Sequence, residues 1–280
     1  MKGRTRALWA AAIVIAALVS ARSAGASGEL EWETRLDRAS AAAVRTNQPL
    51  LLDFWSATCV PCVEMDRAVY TDERLLTAMA KVRPVRIDID RDPGVARKYS
   101  ISGTPTLLLT DSFGRELFRY AGALPLDRML QLLDALPAEV ESINRLSAAL
   151  TAKKDDAAAL SSMGRELRAA GFYRTSSDYY ERALRTPEGR RGGGGRAVLL
   201  VGLERNALEL RLFVDAERYC REALRELGGR PDEPDVQLDL GRALIGQQKT
   251  SDARRVLRTL IAGHEDTPAA TEASRLLAGL

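Results

Sequence analysis

The sequence predicts an α/β domain built on a mixed sheet, followed by an all-α domain of helical repeats. Three observations carry this. Between Ser27 and Pro137, short apolar runs of strand length alternate with stretches of helical period. From Ala138 to Leu280 the strands stop and the pattern is helical throughout. That second half is also self-similar, with small residues recurring at steps of 37 and 40 residues. Helices interleaved with strands imply a sheet covered on both faces, and repetition on that scale implies stacked helical hairpins. A chain of 280 residues suits two domains at about 150 residues each.

The N-terminus reads as an export signal over residues 1–26. Lys2, Arg4 and Arg6 form a basic start, an apolar run covers 7–19, and Ala24-Gly25-Ala26 is a small-x-small cleavage site that would leave Ser27 first. A membrane-spanning helix needs about 20 apolar residues, so anchoring by residues 7–19 is the weaker reading. The expected location is the periplasm or cell envelope, where disulfides form and persist.

The first domain, 27–137, is then read element by element. Leu30 to Arg45 has apolar residues at helical spacing, with Trp32 packing that helix. "PLLLDFW" (49–55) is a strand, and a helix follows Cys59 with Cys62, Met65 and Val69 in period. "PVRIDID" (84–90) alternates as a strand, with Val85, Ile87 and Ile89 on one face. A helix is expected over 93–99, strands over 105–111 and 117–122 across the turn "SFGRE", and a closing helix over 125–136 with Leu126, Leu130 and Leu133 as its stripe.

The second domain, 138–280, shows three related units. The first runs from Leu160 through Met163, Gly164, Gly171, Tyr173 and Tyr180 to Ala183-Leu184. The second is Phe213, Ala216, Cys220 and Ala223-Leu224; the third is Leu238, Gly241 and Leu244 followed by Ala253, Leu257 and Leu260. Small residues at fixed places let paired helices approach closely. "PEGRRGGGGR" (187–196) reads as a loop inserted between units, and 268–280 as a capping helix. The glycine run lacks the Gly-Lys-Ser/Thr and the leading strand of a phosphate loop. This half resembles tetratricopeptide repeats, which implies a superhelical array whose concave surface takes a peptide or protein partner.

Composition excludes several functions. A net charge of +3 with no basic patch interleaved with aromatics argues against nucleic acid. One histidine, His264, and three cysteines leave little for a metal centre, and neither metal nor cofactor is implied. His264 follows the last repeat helix and has no assigned role, and Cys220 reads as a buried core cysteine.

Cys59 and Cys62 carry the chemistry. A zinc site wants four N or S ligands, and only Cys220 and His264 remain, in the other half. A c-type haem needs histidine after the second cysteine, where Val63 stands. A structural bridge of this spacing closes too small a loop to constrain much chain. The redox reading is favoured by placement. Cys59 follows a strand and opens a helix, where the dipole stabilises the attacking thiolate. Cys62, one turn later, is the resolving thiol, and Pro61 fixes the start of the helix. Asp53, six residues before Cys59 in an apolar strand, would be buried with a raised pKa and could exchange the Cys62 proton. In "SISGTPTLLL" (100–109), Pro105 is a candidate for a cis peptide bond that presents Thr104 backbone groups to an extended peptide.

Residues 50–122 resemble thioredoxin. "LLDFWSATCVPC" is similar to its strand and active-site segment, Asp53 and Trp55 included, and "IDIDRDPGVARKYSISGTPTLLL" to its second hallmark. "YTDERL" (70–75) is closer to the exported domains of the DsbD type. The resemblance implies a redox-active Cys59–Cys62 disulfide, Asp53 as proton carrier, and Trp55, Pro61, Thr104 and Pro105 as substrate-docking residues. It departs at Thr58, Val60, Val63 and Glu64; an acidic residue there should disfavour the thiolate, which leans towards a reductase or isomerase-like exchanger. The expectation is an exported thiol–disulfide oxidoreductase acting on protein disulfides, with an unidentified redox partner and a repeat half that recruits a client. Its rivals are an envelope scaffold using the fold as a binding module, and a cytochrome c maturation reductant. The latter usually carries a central insert, for which Cys62 to Pro105 leaves little room.

Overall fold

The computed structural model describes residues 30–136 and 140–280. The export segment 1–26, and the division between the two halves at 137/138, lie outside the described residues.

The first half runs α1 (Leu36–Thr46), β1 (Leu50–Trp55), α2 (Val60–Ala68), α3 (Glu73–Ala78) with a 3-10 turn at Met79–Lys81, β2 (Arg83–Asp88), α4 (Pro93–Lys98), β3 (Thr106–Thr110), β4 (Glu116–Ala121) and α5 (Leu126–Asp134). Its sheet has the order β2-β1-β3-β4. β1 lies parallel to β2 and antiparallel to β3, so the sheet is mixed. The central strand is apolar because both its faces are covered. Leu50, Leu52 and Phe54 pack with Ala39 and Ala43 of α1, while Leu51 joins Met65, Leu107, Met129 and Leu133 on the other face. The two-residue period puts Asp53 on that second face, the side of α2.

Two local readings are corrected. The first helix starts at Leu36, not Leu30, because Arg35 before it is extended. Glu33 instead pairs with β2: its N–H donates to the Pro84 carbonyl and its carbonyl accepts from Arg86 N–H. Trp32 is therefore not on a helix, and its ring meets Tyr70 edge-on at 4.9 Å. The segment expected as a loop over 187–196 is largely helical. Thr186 caps a short helix, and a longer one starts at Gly194 after Gly193 takes φ 96°. α3 had no clear signal; Asp72 caps it by accepting from Arg74 N–H at 2.9 Å.

The second half is helical among the described residues: α6 (Glu141–Ala152), α7 (Ala157–Ala169), α8 (Tyr173–Arg185), α9 (Pro187–Arg190), α10 (Gly194–Glu209), α11 (Phe213–Leu227), α12 (Glu233–Gly246), α13 (Thr250–Gly263) and α14 (Pro268–Ala278). α7/α8, α10/α11 and α12/α13 are hairpins, each packed on the next, and α14 closes the stack. Tyr180 joins the first two. Its ring is wedged between Gly164 of α7 and Gly202 of α10, where an added Cβ would lie 2.7 and 2.4 Å from ring carbons. Only hydrogen fits at either place.

The halves are bolted together at the β3–β4 hairpin. Asp111 is buried there, accepting from the Phe113 and Arg115 N–H groups and from the Ser147 hydroxyl of α6. Asn144 of α6 accepts from Ser112 N–H at 3.2 Å and donates to Asn47 at 3.1 Å. Phe118 and Phe172 meet across the joint with ring centroids 6.2 Å apart.

Gly202→Ala would drive a methyl group into the Tyr180 ring, which is held on its other side and cannot retreat. Expected is a loss of about 1–3 kcal/mol in urea unfolding. Gly195→Ala, with open space around its Cβ, is the control and should be neutral or stabilising.

Candidate active site

β1 ends at Trp55 and the chain turns through Ser56–Thr58 into α2. Cys59 is the N-cap of α2, in extended conformation, and its sulfur accepts from the Cys62 N–H at 3.2 Å. Pro61 sits in the first helical turn, where a missing N–H costs nothing. Cys59 and Cys62 are joined as a disulfide, 7% and 2% exposed. Beside this nearly covered pair two apolar side chains are exposed, Val60 at 67% and Val63 at 37%, along with Thr58 and Glu64.

The Thr104–Pro105 peptide bond is cis. Thr104 reaches the active-site turn, with its hydroxyl 3.5 Å from that of Ser56, which is 3.5 Å from Thr58. Pro105 is buried at the head of β3, and its carbonyl accepts from Gly122 N–H at 2.8 Å. The cysteine turn, the Thr104–Pro105 loop and the end of β4 therefore lie together at one end of the sheet.

Asp53 is 2% exposed. Burial pushes its pKa from 3.8 up to about 7, against the pull of the neighbouring Arg86. The sheet register makes Asp53 and Arg86 direct partners on β1 and β2. The Arg86 Nε lies 3.4 Å from Asp53 Oδ2, while its Nη2 lies 2.8 Å from Asp66 Oδ1 on α2. The guanidinium stacks over Trp55 at 4.5 Å and stands 5.6 Å from the Trp32 ring. Tyr70 completes the group. Its buried hydroxyl and Asp53 Oδ1 each lack a hydrogen-bond partner in the structure, and burial pushes the phenol's pKa upwards.

Cys59, Cys62, Pro61, Thr104, Pro105 and Trp55 thus lie at one end of the sheet, with Asp53 two residues before Trp55 along β1 on the face covered by α2. Arg86, Asp66, Tyr70 and Trp32 are additions that sequence reasoning missed. The alternation of β2 puts Arg86 on the face opposite Val85, Ile87 and Ile89; only the register of β1 against β2 carries the signal that it meets Asp53. Cys220 is remote in the fold, buried in α11 with its thiol 3.6 Å from the equally buried Glu204. Burial, with Asp239 nearby, pushes the Glu204 carboxyl to about 9.

Two families match the chain. Residues 36–137 match a thioredoxin-like domain family and residues 207–278 a tetratricopeptide repeat family. The second match begins after the α7/α8 hairpin, whose sequence pattern is the clearest of the three. The chain is 32% identical over 87 residues to the thiol:disulfide interchange protein DsbD of Ralstonia nicotianae, covering 30% of this chain but 14% of that protein. It is 32% identical over 93 residues to the thioredoxin of Rhodospirillum rubrum, covering 33% of this chain and 86% of that one. Against thioredoxin 1 of Nostoc sp. the identity is 33% over 86 residues, 31% of this chain and 78% of the relative.

The folded chain keeps a proton on Asp53 that the unfolded chain gives up between pH 3.8 and about 7. Stability should therefore fall as pH rises through that window. Asp53→Asn, which cannot ionise, should unfold about 2–4 kcal/mol higher than the parent at pH 8, with the gap closing near pH 4. Urea titrations of the oxidised protein at both pH values check this. Arg86→Gln removes the opposing cation, so the midpoint of the parent's pH dependence should move upwards.

Proposed function

Because this chain belongs to the thioredoxin family, we propose that it is a thiol–disulfide oxidoreductase acting on disulfides of proteins outside the cytosol, with its repeat half holding a protein partner. One observation carries the reading: a Cys59–Cys62 disulfide at the N-terminus of a helix, beside a strand that buries an acid of pKa about 7.

The chemistry runs through the reduced pair. Cys59 as thiolate attacks one sulfur of a substrate disulfide; that S–S bond breaks, and the departing thiolate takes a proton from water. Cys62 then loses its proton to Asp53 and attacks Cys59 Sγ. The mixed disulfide breaks, the second substrate thiol leaves, and the Cys59–Cys62 disulfide remains. The substrate gains two electrons and the pair loses two, which a donor thiol must restore. An acid with pKa near 7 can both take and return a proton at neutral pH. The N–H groups at the start of α2 favour the Cys59 thiolate, and the Cys62 N–H already points at that sulfur. Thr104 and Pro105, with exposed Val60 and Val63, give the substrate backbone and side chains a place beside the pair. Trp55 serves by stacking on Arg86, which keeps the cation against Asp53.

Export is supported by the basic and apolar N-terminal pattern and by the likeness to an interchange protein of the DsbD type. Among the described residues no helix is long and apolar enough to cross a membrane. The match spans 14% of the DsbD relative's length, so clients and electron donor are this chain's own to establish.

Cys59→Ser should lose about a thousandfold or more in disulfide reduction, whereas Cys62→Ala should accumulate a mixed disulfide through Cys59 that dithiothreitol releases. A reduction potential near about −270 mV marks a reductant and one near about −120 mV an oxidant. Undiminished turnover by Cys59→Ser would leave the fold as a binding module only.

A further inference from the structure

β4 is an edge strand among the described residues, paired with β3 on one side and with no strand of theirs on the other. The ladder decides which of its backbone groups point outwards. Gly122 N–H bonds the Pro105 carbonyl, and Tyr120 and Phe118 lie opposite Leu107 and Leu109. Residues in an antiparallel pair turn alternately towards and away from the partner. Gly122, Tyr120 and Phe118 face β3, so Leu117, Arg119 and Ala121 face away.

The molecule already uses one end of this outer row. The Thr175 hydroxyl of α8 donates to the Leu117 carbonyl at 2.6 Å, from outside the sheet. Beyond it, the outward backbone groups of Arg119 and Ala121 meet no partner among the described residues, and residues 119–121 are exposed. Beside the row, a cleft of about 220 Å³ opens between β4, α5 and the α7–α8 turn. Phe118, Tyr120, Leu124 and Leu132 of the first half and Phe172 of the second line it.

We propose that this edge and cleft dock an extended segment of the polypeptide whose disulfide is exchanged, with the segment adding as a short strand outside β4 and a large apolar side chain filling the cleft. The proposal rests on the redox reading above. Outward amides and carbonyls two residues apart are well matched by another extended backbone. Its alternate side chains would then lie on the Phe118 and Tyr120 face, over the cleft. The row starts beside Gly122, which holds the Pro105 carbonyl, so it is continuous with the loop that docks substrate at the disulfide. Phe172 supplies a wall only because the repeat half is seated on β4. The repeats then shape the redox site's docking surface directly.

The experiment compares insulin, a polypeptide disulfide, with bis(2-hydroxyethyl) disulfide, which is too small to reach the edge. Ala121→Pro deletes an outward N–H without removing a ladder bond, since proline is tolerated on the open side of an edge strand. Tyr120→Ala, at a residue 37% exposed, removes a cleft wall with little effect on the core. Each variant should lower kcat/KM for insulin by about fivefold to tenfold and leave the small disulfide within about twofold. Insulin turnover unchanged in both variants, or equal losses on both disulfides, overturns the proposal. A parent dimer that Ala121→Pro dissociates, with insulin turnover unchanged, gives the edge to a second copy of the chain and also overturns it. A parent inert towards both disulfides instead strikes the redox reading itself.

Discussion

A carboxylate in the middle of a strand covered on both faces is the constraint around which the first half is arranged. Left alone, Asp53 would be an uncompensated buried charge. Arg86 faces it across the β1–β2 register, held by Asp66 below and by two indole faces. The guanidinium is always charged and cannot surrender its proton, so it opposes desolvation without ever becoming the proton carrier itself. The result is an acid poised near neutrality, which is the range a thiol exchanger works in. Trp32 is fixed by the same group, and through Glu33 the segment before α1 is drawn beside β2 rather than into the helix.

The joint between the halves combines the Phe118–Phe172 contact with a buried polar cluster. Asp111, Ser112, Ser147 and Asn144 satisfy one another in a buried cluster. Such a network works only when complete, since each unpaired member would cost its full desolvation. It sets the repeat half against β4 in one orientation, and the same seating caps Leu117 and builds the cleft beside the exposed end of the strand.

Within the repeats, close approach is bought with glycine at Gly164, Gly202 and Gly241, each facing a large side chain of a neighbouring helix. The buried Glu204 is the opposite case. Burial, with Asp239 nearby, raises its carboxyl to about 9 against the pull of the Arg205 guanidinium 3.6 Å from Oε1, while Oε2 accepts from the Cys220 thiol.

Much was legible in the sequence because it rests on local chemistry. Alternating strand and helix patterns mark the first half and an unbroken helical period the second, and Leu50 to Trp55 has the length and apolar run of a covered strand. The spacing of Cys59 and Cys62 places both on one turn, and the acid among Leu52 and Phe54 announces itself as misplaced. What the sequence could not contain is register and juxtaposition. Arg86 looks solvated until β2 is laid beside β1, because a strand's polar face is polar for either reason. α3 is six residues long, too short for a periodic signal, and Gly194 and Gly195 hide the start of a helix that tertiary packing stabilises. The paired cysteines and their acid follow from composition along the chain. The cation that tunes the acid, and the docking of one half on the edge strand of the other, exist only once distant segments share a surface.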